Sequence, residues 1–94
     1  MDTLPSIELL QEHHEFPGPF LFKAIGRVED GFAARVVAAV REELEGSVDP
    51  PYHVRQTPSG RHVSVTMEPQ VESAFQVLAV YQRIRETAGL VMLF

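Results

Sequence analysis

The clearest pattern in the chain is an alternation of apolar and polar residues from Arg61 to Val71. A period of two residues is typical of a β-strand that is buried on one face and exposed on the other. The sequence therefore predicts a central strand, entered through the turn Thr57–Gly60, whose Pro58 and final glycine favour a hairpin. The residues predicted on its buried face are Val63, Val65, Met67 and Val71.

Three other segments have the composition and spacing of strands: Phe20–Val28, Tyr52–Gln56 and Leu90–Phe94. Phe20, Phe22 and Ala24 fall on one face of the first segment, and Leu21, Lys23 and Ile25 fall on the other. In the second, Tyr52 and Val54 alternate with His53 and Arg55. Each of these segments is bounded by proline or glycine, which supports separate short strands.

Two longer segments have helical spacing. The first runs from Asp30, as N-cap, to about Glu45, and Gly46 is expected to end it. The second starts at Ala74, after the capping-box pattern of Ser73 and Gln76, and Gly89 is expected to end it. The apolar stripes predicted to face the core are Phe32, Val36, Val37, Val40 and Leu44 in the first helix, and Ala74, Val77, Leu78, Tyr81 and Ile84 in the second.

The resulting order of strand, helix, strand, strand, helix, strand predicts an α+β fold, a ferredoxin-like βαββαβ sandwich. Right-handed crossovers place both helices on one face of a four-stranded antiparallel sheet with spatial order 4-1-3-2. Residues 16–94 form this single domain, and residues 1–15 form an N-terminal segment with a short helix, Pro5–Gln11. We expect Ile7, Leu9 and Leu10 to cover the apolar part of the sheet face that the two helices leave open.

Composition narrows the possible functions. The 94 residues contain no cysteine, which excludes disulfides, iron–sulfur clusters and thiolate zinc sites. A net charge of −5 makes nucleic acid an unlikely partner, because binding to a phosphate backbone depends on a surplus of Lys and Arg. The chain has no apolar run near the ~20 residues of a membrane span and no basic leader at its start, so we expect a cytoplasmic protein without a membrane partner.

Several short motifs follow one another in a fixed order between Phe16 and Phe94. They are Phe16-Pro17-x-Pro19-Phe20, Phe22-Lys23-x-x-Gly26, Val36-Val37 with Val40, Ser59-Gly60, Ser64-Val65, Tyr81 and Val91-Met92. In these motifs the chain resembles the YbeD-like family of small bacterial proteins of unknown function, whose fold is ferredoxin-like and similar to the ACT regulatory domain. The resemblance implies regulation or binding rather than chemistry.

No constellation of residues predicts catalysis or a cofactor. His13 and His14, beside Glu12 and Glu15, are adjacent in sequence and point apart, so they favour a solvated pair over a metal site. His53 and His62 are predicted on the same face of hairpin-linked strands; an exposed structural pair is favoured, and a zinc or pH-sensitive site is the alternative. Ser64 has no base and acid at a recognisable spacing. The chain also lacks the Asn that ferredoxin-like acylphosphatases use, so we expect no enzyme.

The open face of the sheet is the predicted binding surface. It gathers three cations and two histidines with no carboxylate among them, beside the apolar residues Leu21, Ile25, Val91 and Leu93. Gly26 is expected to turn the backbone at the first loop, where the resemblance to ACT-like domains places ligands. The candidate site residues are Lys23, Ile25, Gly26, Arg27, His53, Arg55, His62, Ser64 and Thr66.

Three functions remain open at this point. The first is a non-enzymatic, ACT-like regulatory or adaptor module that binds a partner protein or a small anionic effector, as a monomer or as a dimer through sheet edges. The second is a nucleic-acid-binding domain, although the central-strand positions that hold aromatic rings in RNA-recognition motifs are here His62, Ser64 and Thr66. The third, with the least support, is an enzyme acting on phosphorylated or acylated metabolites.

Overall fold

The computed structural model describes residues 4–29 and 31–94 and contains a four-stranded antiparallel sheet beside two long helices. The sheet has the order β3-β4-β2-β6, and a two-stranded sheet pairs β1 with β5. The elements in chain order are α1 (Ile7–His13), β1 (Gly18–Pro19), β2 (Phe22–Arg27), α2 (Phe32–Glu43), β3 (Tyr52–Gln56), β4 (His62–Met67), β5 (Gln70–Val71), α3 (Ala74–Arg85) and β6 (Leu90–Leu93).

This arrangement confirms the predicted ferredoxin-like topology. With the four long strands numbered along the chain, the observed order is 4-1-3-2, and β2 and β4 are the central neighbours. Helices α2 and α3 contact each other, and α2 contacts both central strands. The alternation in β4 holds residue by residue: Val63, Val65 and Met67 are buried, and the residues between them are partly exposed.

The predicted strand Arg61–Val71 is not continuous, however. Strand β4 ends at Met67, and the chain then leaves the main sheet, so that β5 pairs with β1 instead. Pro69 has no N–H to donate to the sheet. Its carbonyl oxygen accepts a hydrogen bond from the N–H of Phe20 at 3.0 Å, on the way into β2.

The core lies between the sheet and the helices. Both predicted helical stripes are buried or partly buried there, and Val80 joins the second. An aromatic cluster forms one end of the core, where the Phe22 ring lies 5.0 Å from the Phe20 ring and 5.1 Å from the Tyr81 ring, centroid to centroid. Burial among these rings raises the pKa of Tyr81 above its ordinary value of 10.0.

Helix α2 differs from its prediction at both ends. Its N-cap is Gly31, with a φ of 72°, and the predicted cap Asp30 lies outside the described residues. At the other end the helix stops at Glu43, and the left-handed position is occupied by Glu45, with a φ of 55°, rather than by Gly46. The N–H of Glu45 donates to Glu42 O and that of Gly46 donates to Arg41 O, which is the Schellman pattern.

Helix α3 starts at Ala74, as its capping box predicts. The Ser73 hydroxyl accepts a hydrogen bond from the N–H of Gln76 at 3.2 Å, and Oε1 of Gln76 accepts one from the N–H of Glu72 at 2.7 Å. The predicted end at Gly89 is wrong, because the helix stops at Arg85. Gly89, with a φ of 97°, instead turns the chain into β6.

The N-terminal helix α1 is capped by Ser6 and lies against α3. Leu10 is buried in the core at 4% exposure, Ile7 packs against it, and Leu9 remains 53% exposed. The expectation that this segment covers the open face of the sheet is therefore wrong, because its apolar residues are used on the helix side. Among the described residues, no helix has the length and apolar character needed to cross a membrane.

Candidate functional site

The open face of the sheet carries the side chains of alternate residues from all four strands. The strand register aligns His53, Thr66 and Lys23 in one row, and Arg55, Ser64 and Ile25 in the next. On β6, Met92 is paired with Ile25. Phe94 extends the first row, because its backbone N–H and C=O both hydrogen-bond to Lys23.

A shallow depression of about 240 Å³ lies over these rows, between β2 and β3. Six of the nine predicted site residues line it, together with Gln56, Thr57 and Pro58 from the end of β3 and the turn that follows. The six are Lys23, Ile25, His53, Arg55, Ser64 and Thr66. These six residues bring two cations, an imidazole and two hydroxyl groups around one aliphatic side chain.

The two cations of the depression, Lys23 and Arg55, are exposed to solvent. Within residues 4–29 and 31–94, neither Lys23 nor Arg55 forms an ion pair with a carboxylate. The Lys23 ammonium lies 6.0 Å from the centre of the Phe94 ring, at the outer limit of a cation–π contact. Both cations are therefore available to an incoming anionic group.

Carboxylates lie at both ends of the face. The Arg27 guanidinium is 3.7 Å from the Glu29 carboxylate, so the predicted absence of carboxylates among the cations is wrong at this end. His62, paired with Arg27 in the register, lines a separate depression of about 520 Å³ there. At the opposite end, Glu68 lines another depression beside Leu21. The unpaired positive charge is thus confined to the middle of the face.

Gly26 is a position where the central sheet and the first long helix approach each other closely. It lies inside β2 rather than in the loop after it, and it is buried on the helix side. A β-carbon added there would lie 2.5 Å from carbons of the Phe32 ring. The expected backbone turn at Gly26 is therefore wrong, since the position needs glycine to admit this ring, and it contributes no side chain to the open face.

The histidines do not come together. His53 is paired with Thr66 and His62 lies four residues earlier on β4, so the two are about 13 Å apart along the strand. This separation is too large for the two imidazoles to bind one zinc ion, which was the alternative that the sequence left open. His14 packs its ring 4.7 Å from the Phe20 ring. In the part of the chain that the structure describes, no group of three or more His, Cys, Asp or Glu side chains could hold a metal ion.

Strand β6 presents different residues on the open face from those predicted. Leu93 pairs with Ala24 and packs against the core, and a register shift between Ile25 and Gly26 changes the alternation. Met92 and Phe94 face outward instead, 48% and 57% exposed. Five consecutive apolar residues, Leu90–Phe94, have no alternation from which the sequence could have shown this.

Comparisons with known proteins agree with the fold. Residues 11–94 match the model of a family described as a protein of unknown function, DUF493. A UPF0250 protein of Shewanella piezotolerans is 33% identical over 75 residues, covering 80% of this chain and 83% of that protein. A UPF0250 protein of Shewanella amazonensis is 31% identical over 78 residues, covering 83% of this chain and 86% of that protein.

Among solved structures, the solution structure of protein HP0495 from H. pylori superposes with a TM-score of 0.65 at 11% identity, over 100% of this chain and 98% of that one. At this identity the likeness shows the shared ferredoxin-like fold alone. The sequence relatives are the small bacterial proteins that the motif resemblance predicted, so that prediction is confirmed. The chain belongs to the DUF493 family of proteins of unknown function.

Proposed function

We propose that this protein is a non-enzymatic regulatory or adaptor module that binds an anionic partner on the open face of its sheet. The observation that carries the proposal is the pair of unpaired cations, Lys23 and Arg55, that line one depression in a chain of net charge −5. In a predominantly acidic protein, such a confined positive region attracts an anionic group and disfavours cationic ones.

The chemistry of the depression suits binding. Arg55 offers a planar guanidinium that can hold a carboxylate through two hydrogen bonds. The Ser64 and Thr66 hydroxyls between the two cations are additional donors. His53, the one possible general base among the described residues that line the depression, is paired with Thr66 rather than with Ser64, and none of these residues is a carboxylate that could orient its imidazole. This arrangement supports a binding role over nucleophilic catalysis.

Charge reversal at single positions tests the proposal. Lys23→Glu and Arg55→Glu each change the net charge from −5 to −7, and so does the control Arg85→Glu at an exposed position on α3. Immobilised wild-type protein and the three variants are incubated with lysate, and the captured proteins, metabolites and nucleic acids are identified by mass spectrometry and sequencing. We expect the two face variants to lose a species that the wild type and the control retain.

Equal capture by all four proteins would contradict the proposal. A captured oligonucleotide whose binding falls steeply with added salt would instead favour the nucleic-acid function. Circular dichroism of each variant confirms that the fold is intact, which is expected because the Lys23 and Arg55 side chains are exposed.

A further inference from the structure

The open face divides into two strips of different chemistry. The cationic strip consists of Lys23, His53 and Arg55, and the apolar strip consists of Ile25, Met92 and Phe94. The two strips lie side by side, because Lys23 and Ile25 alternate on β2 while Met92 and Phe94 follow on the neighbouring strand. Met92 and Phe94 are each about half exposed, at 48% and 57%. An exposed apolar strip beside unpaired cations is a surface that a partner can bury.

The dimensions of the strips suit a segment of polypeptide. Neighbouring strands are about 4.8 Å apart and alternate residues of one strand about 6.7 Å, so the Cα atoms of Lys23 and Arg55 are about 12 Å apart. The apolar strip is two strands wide, and Leu21, 56% exposed, extends β2 beyond Lys23 on the same face. With Leu21 included, the strip is about 13 Å long, which is the length of about two and a half helical turns.

A polypeptide segment that lies on the face of a sheet is best folded as a helix. The backbone groups of the sheet already pair between strands, so a strand laid flat on this face would find no hydrogen-bond partners for its own N–H and C=O groups. A helix satisfies these groups internally and presents a stripe of side chains. The opposite face of the same sheet is covered in this way by α2 and α3.

Other occupants fit the surface less well. The depression is open and shallow, whereas small ligands generally bury most of their surface in a pocket. Glu29 and Glu68 limit the cationic strip at its two ends, which disfavours a long polyanion such as a nucleic acid. A second copy would offer the cations of this strip no acidic partner at the middle of its own open face, because the described carboxylates of that face, Glu29 and Glu68, lie at its two ends. A short acidic segment meets none of these three obstacles.

We propose that the open face binds an amphipathic helix of a partner protein, with acidic residues along one side of the apolar stripe of that helix. The apolar stripe packs on Ile25, Met92 and Phe94, and the acidic flank faces Lys23, His53 and Arg55. This inference rests on the proposed function and names the class of partner. It differs from that function in requiring the apolar strip as well as the cations.

Synthetic peptides test the inference. Two fluorescent peptides of about 16 residues, long enough to form a helix on binding, share one leucine stripe; one carries glutamates along its flank and the other lysines. Binding to the full chain is measured by fluorescence anisotropy at low salt and at 0.15 M salt, where the Debye length is about 8 Å. We expect the acidic peptide to bind at least tenfold more tightly than the basic one.

Variants of the two strips make the test specific. Lys23→Glu and Arg55→Glu should each lower the affinity for the acidic peptide about tenfold. Met92→Ser and Phe94→Ser should each lower that affinity by a similar factor. The matched controls are Arg85→Glu for charge and Val48→Ser, at a 75% exposed apolar side chain outside the strips, and neither should change binding.

Each alternative outcome is decisive. Equal binding of the two peptides, no binding of either, or an unchanged affinity in Met92→Ser and Phe94→Ser would overturn the helix proposal. Concentration-dependent dimerisation abolished by Met92→Ser would assign the apolar strip to a second copy and overturn it too. If lysate capture depends on Lys23 and Arg55 while the acidic peptide fails to bind, the helix proposal falls and the anion-binding function stands. If capture is unchanged in both Lys23→Glu and Arg55→Glu, the proposed anion-binding function is itself contradicted.

Discussion

Replacing Gly26 by alanine tests how the sheet and the first long helix fit together. An alanine β-carbon at this position would lie 2.5–2.6 Å from three carbons of the Phe32 ring. Optimal carbon–carbon separations are about 3.5–4.0 Å, so the ring or the strand must move by about 1 Å. Phe32 is only 1% exposed, and its ring also lies near Gly89, where an added β-carbon would meet it at 3.3 Å. The ring has little space into which it can move.

The expected cost follows from this geometry. Overpacking of a well-packed core costs about 1–3 kcal/mol, and full burial of Phe32 places this site at the upper end. Alanine also reduces the conformational freedom of the unfolded chain, and this effect raises the free energy of unfolding by about 0.4–1 kcal/mol. We therefore expect Gly26→Ala to lower the free energy of unfolding by about 2 kcal/mol. For a domain of this size, the corresponding fall in Tm is about 8–16 °C.

Urea denaturation followed by far-UV circular dichroism measures this difference. Gly46→Ala is the matched control, because a β-carbon there meets its nearest atom at 3.4 Å, an ordinary contact. The double variant Gly26→Ala with Phe32→Leu should be more stable than the sum of the two single changes predicts, by about 1 kcal/mol, since the smaller side chain removes the clash. A Gly26→Ala protein within about 0.5 kcal/mol of the wild type would refute the packing argument.

Three further predictions concern helix ends and the aromatic cluster. Ser73→Ala should lower the free energy of unfolding by about 1 kcal/mol, because the Gln76 N–H loses its acceptor; an unchanged urea midpoint would show that the cap is dispensable. Glu45→Gly should raise the free energy of unfolding by about 0.5–1 kcal/mol, since glycine adopts a φ of 55° without strain; a Tm below that of the wild type would contradict this. Burial raises the pKa of Tyr81, so above pH 10.0 the unfolded chain ionises first and stability falls as the pH rises. Tyr81→Phe should flatten that alkaline loss in pH-dependent urea titrations; an unchanged slope would place its origin elsewhere.

Much of the fold could be predicted because two of its strands have one buried and one solvated face. In β2 and β4 the alternation of apolar and polar residues matches the alternation of buried and exposed side chains. The face that each of these strands turns toward the helices can therefore be derived from a period of two alone. The helix stripes follow in the same way from a period of 3.6 residues. The helix ends were harder, because Glu45 occupies a conformation that the sequence rule assigns to glycine.

The edge strands show where periodicity stops being informative. In β3, Tyr52 and Val54 alternate as a half-buried strand would, and the register places them on the helix side opposite Met67 and Val65. All five residues of the strand are nevertheless exposed, because helices α2 and α3 extend over the middle of the sheet and not over this edge. Alternation therefore gave the correct face of β3 but not its burial, which depends on where distant elements of the chain pack.

In β6 the failure of periodicity changed the chemistry of the candidate site. An uninterrupted apolar strand shows no preferred face, and the register shift at Ile25 and Gly26 decides which side chains point outward. As a result, Leu93 packs against the core, and Met92 and Phe94 lie on the open face beside Ile25 and Lys23. With Val91 and Leu93 outward, as the sequence predicted, the apolar side chains next to the cations would all be aliphatic. With Met92 and Phe94 outward, a flexible thioether and an aromatic ring adjoin the positive charge, and this combination suits an amphipathic acidic helix better than a simple anion.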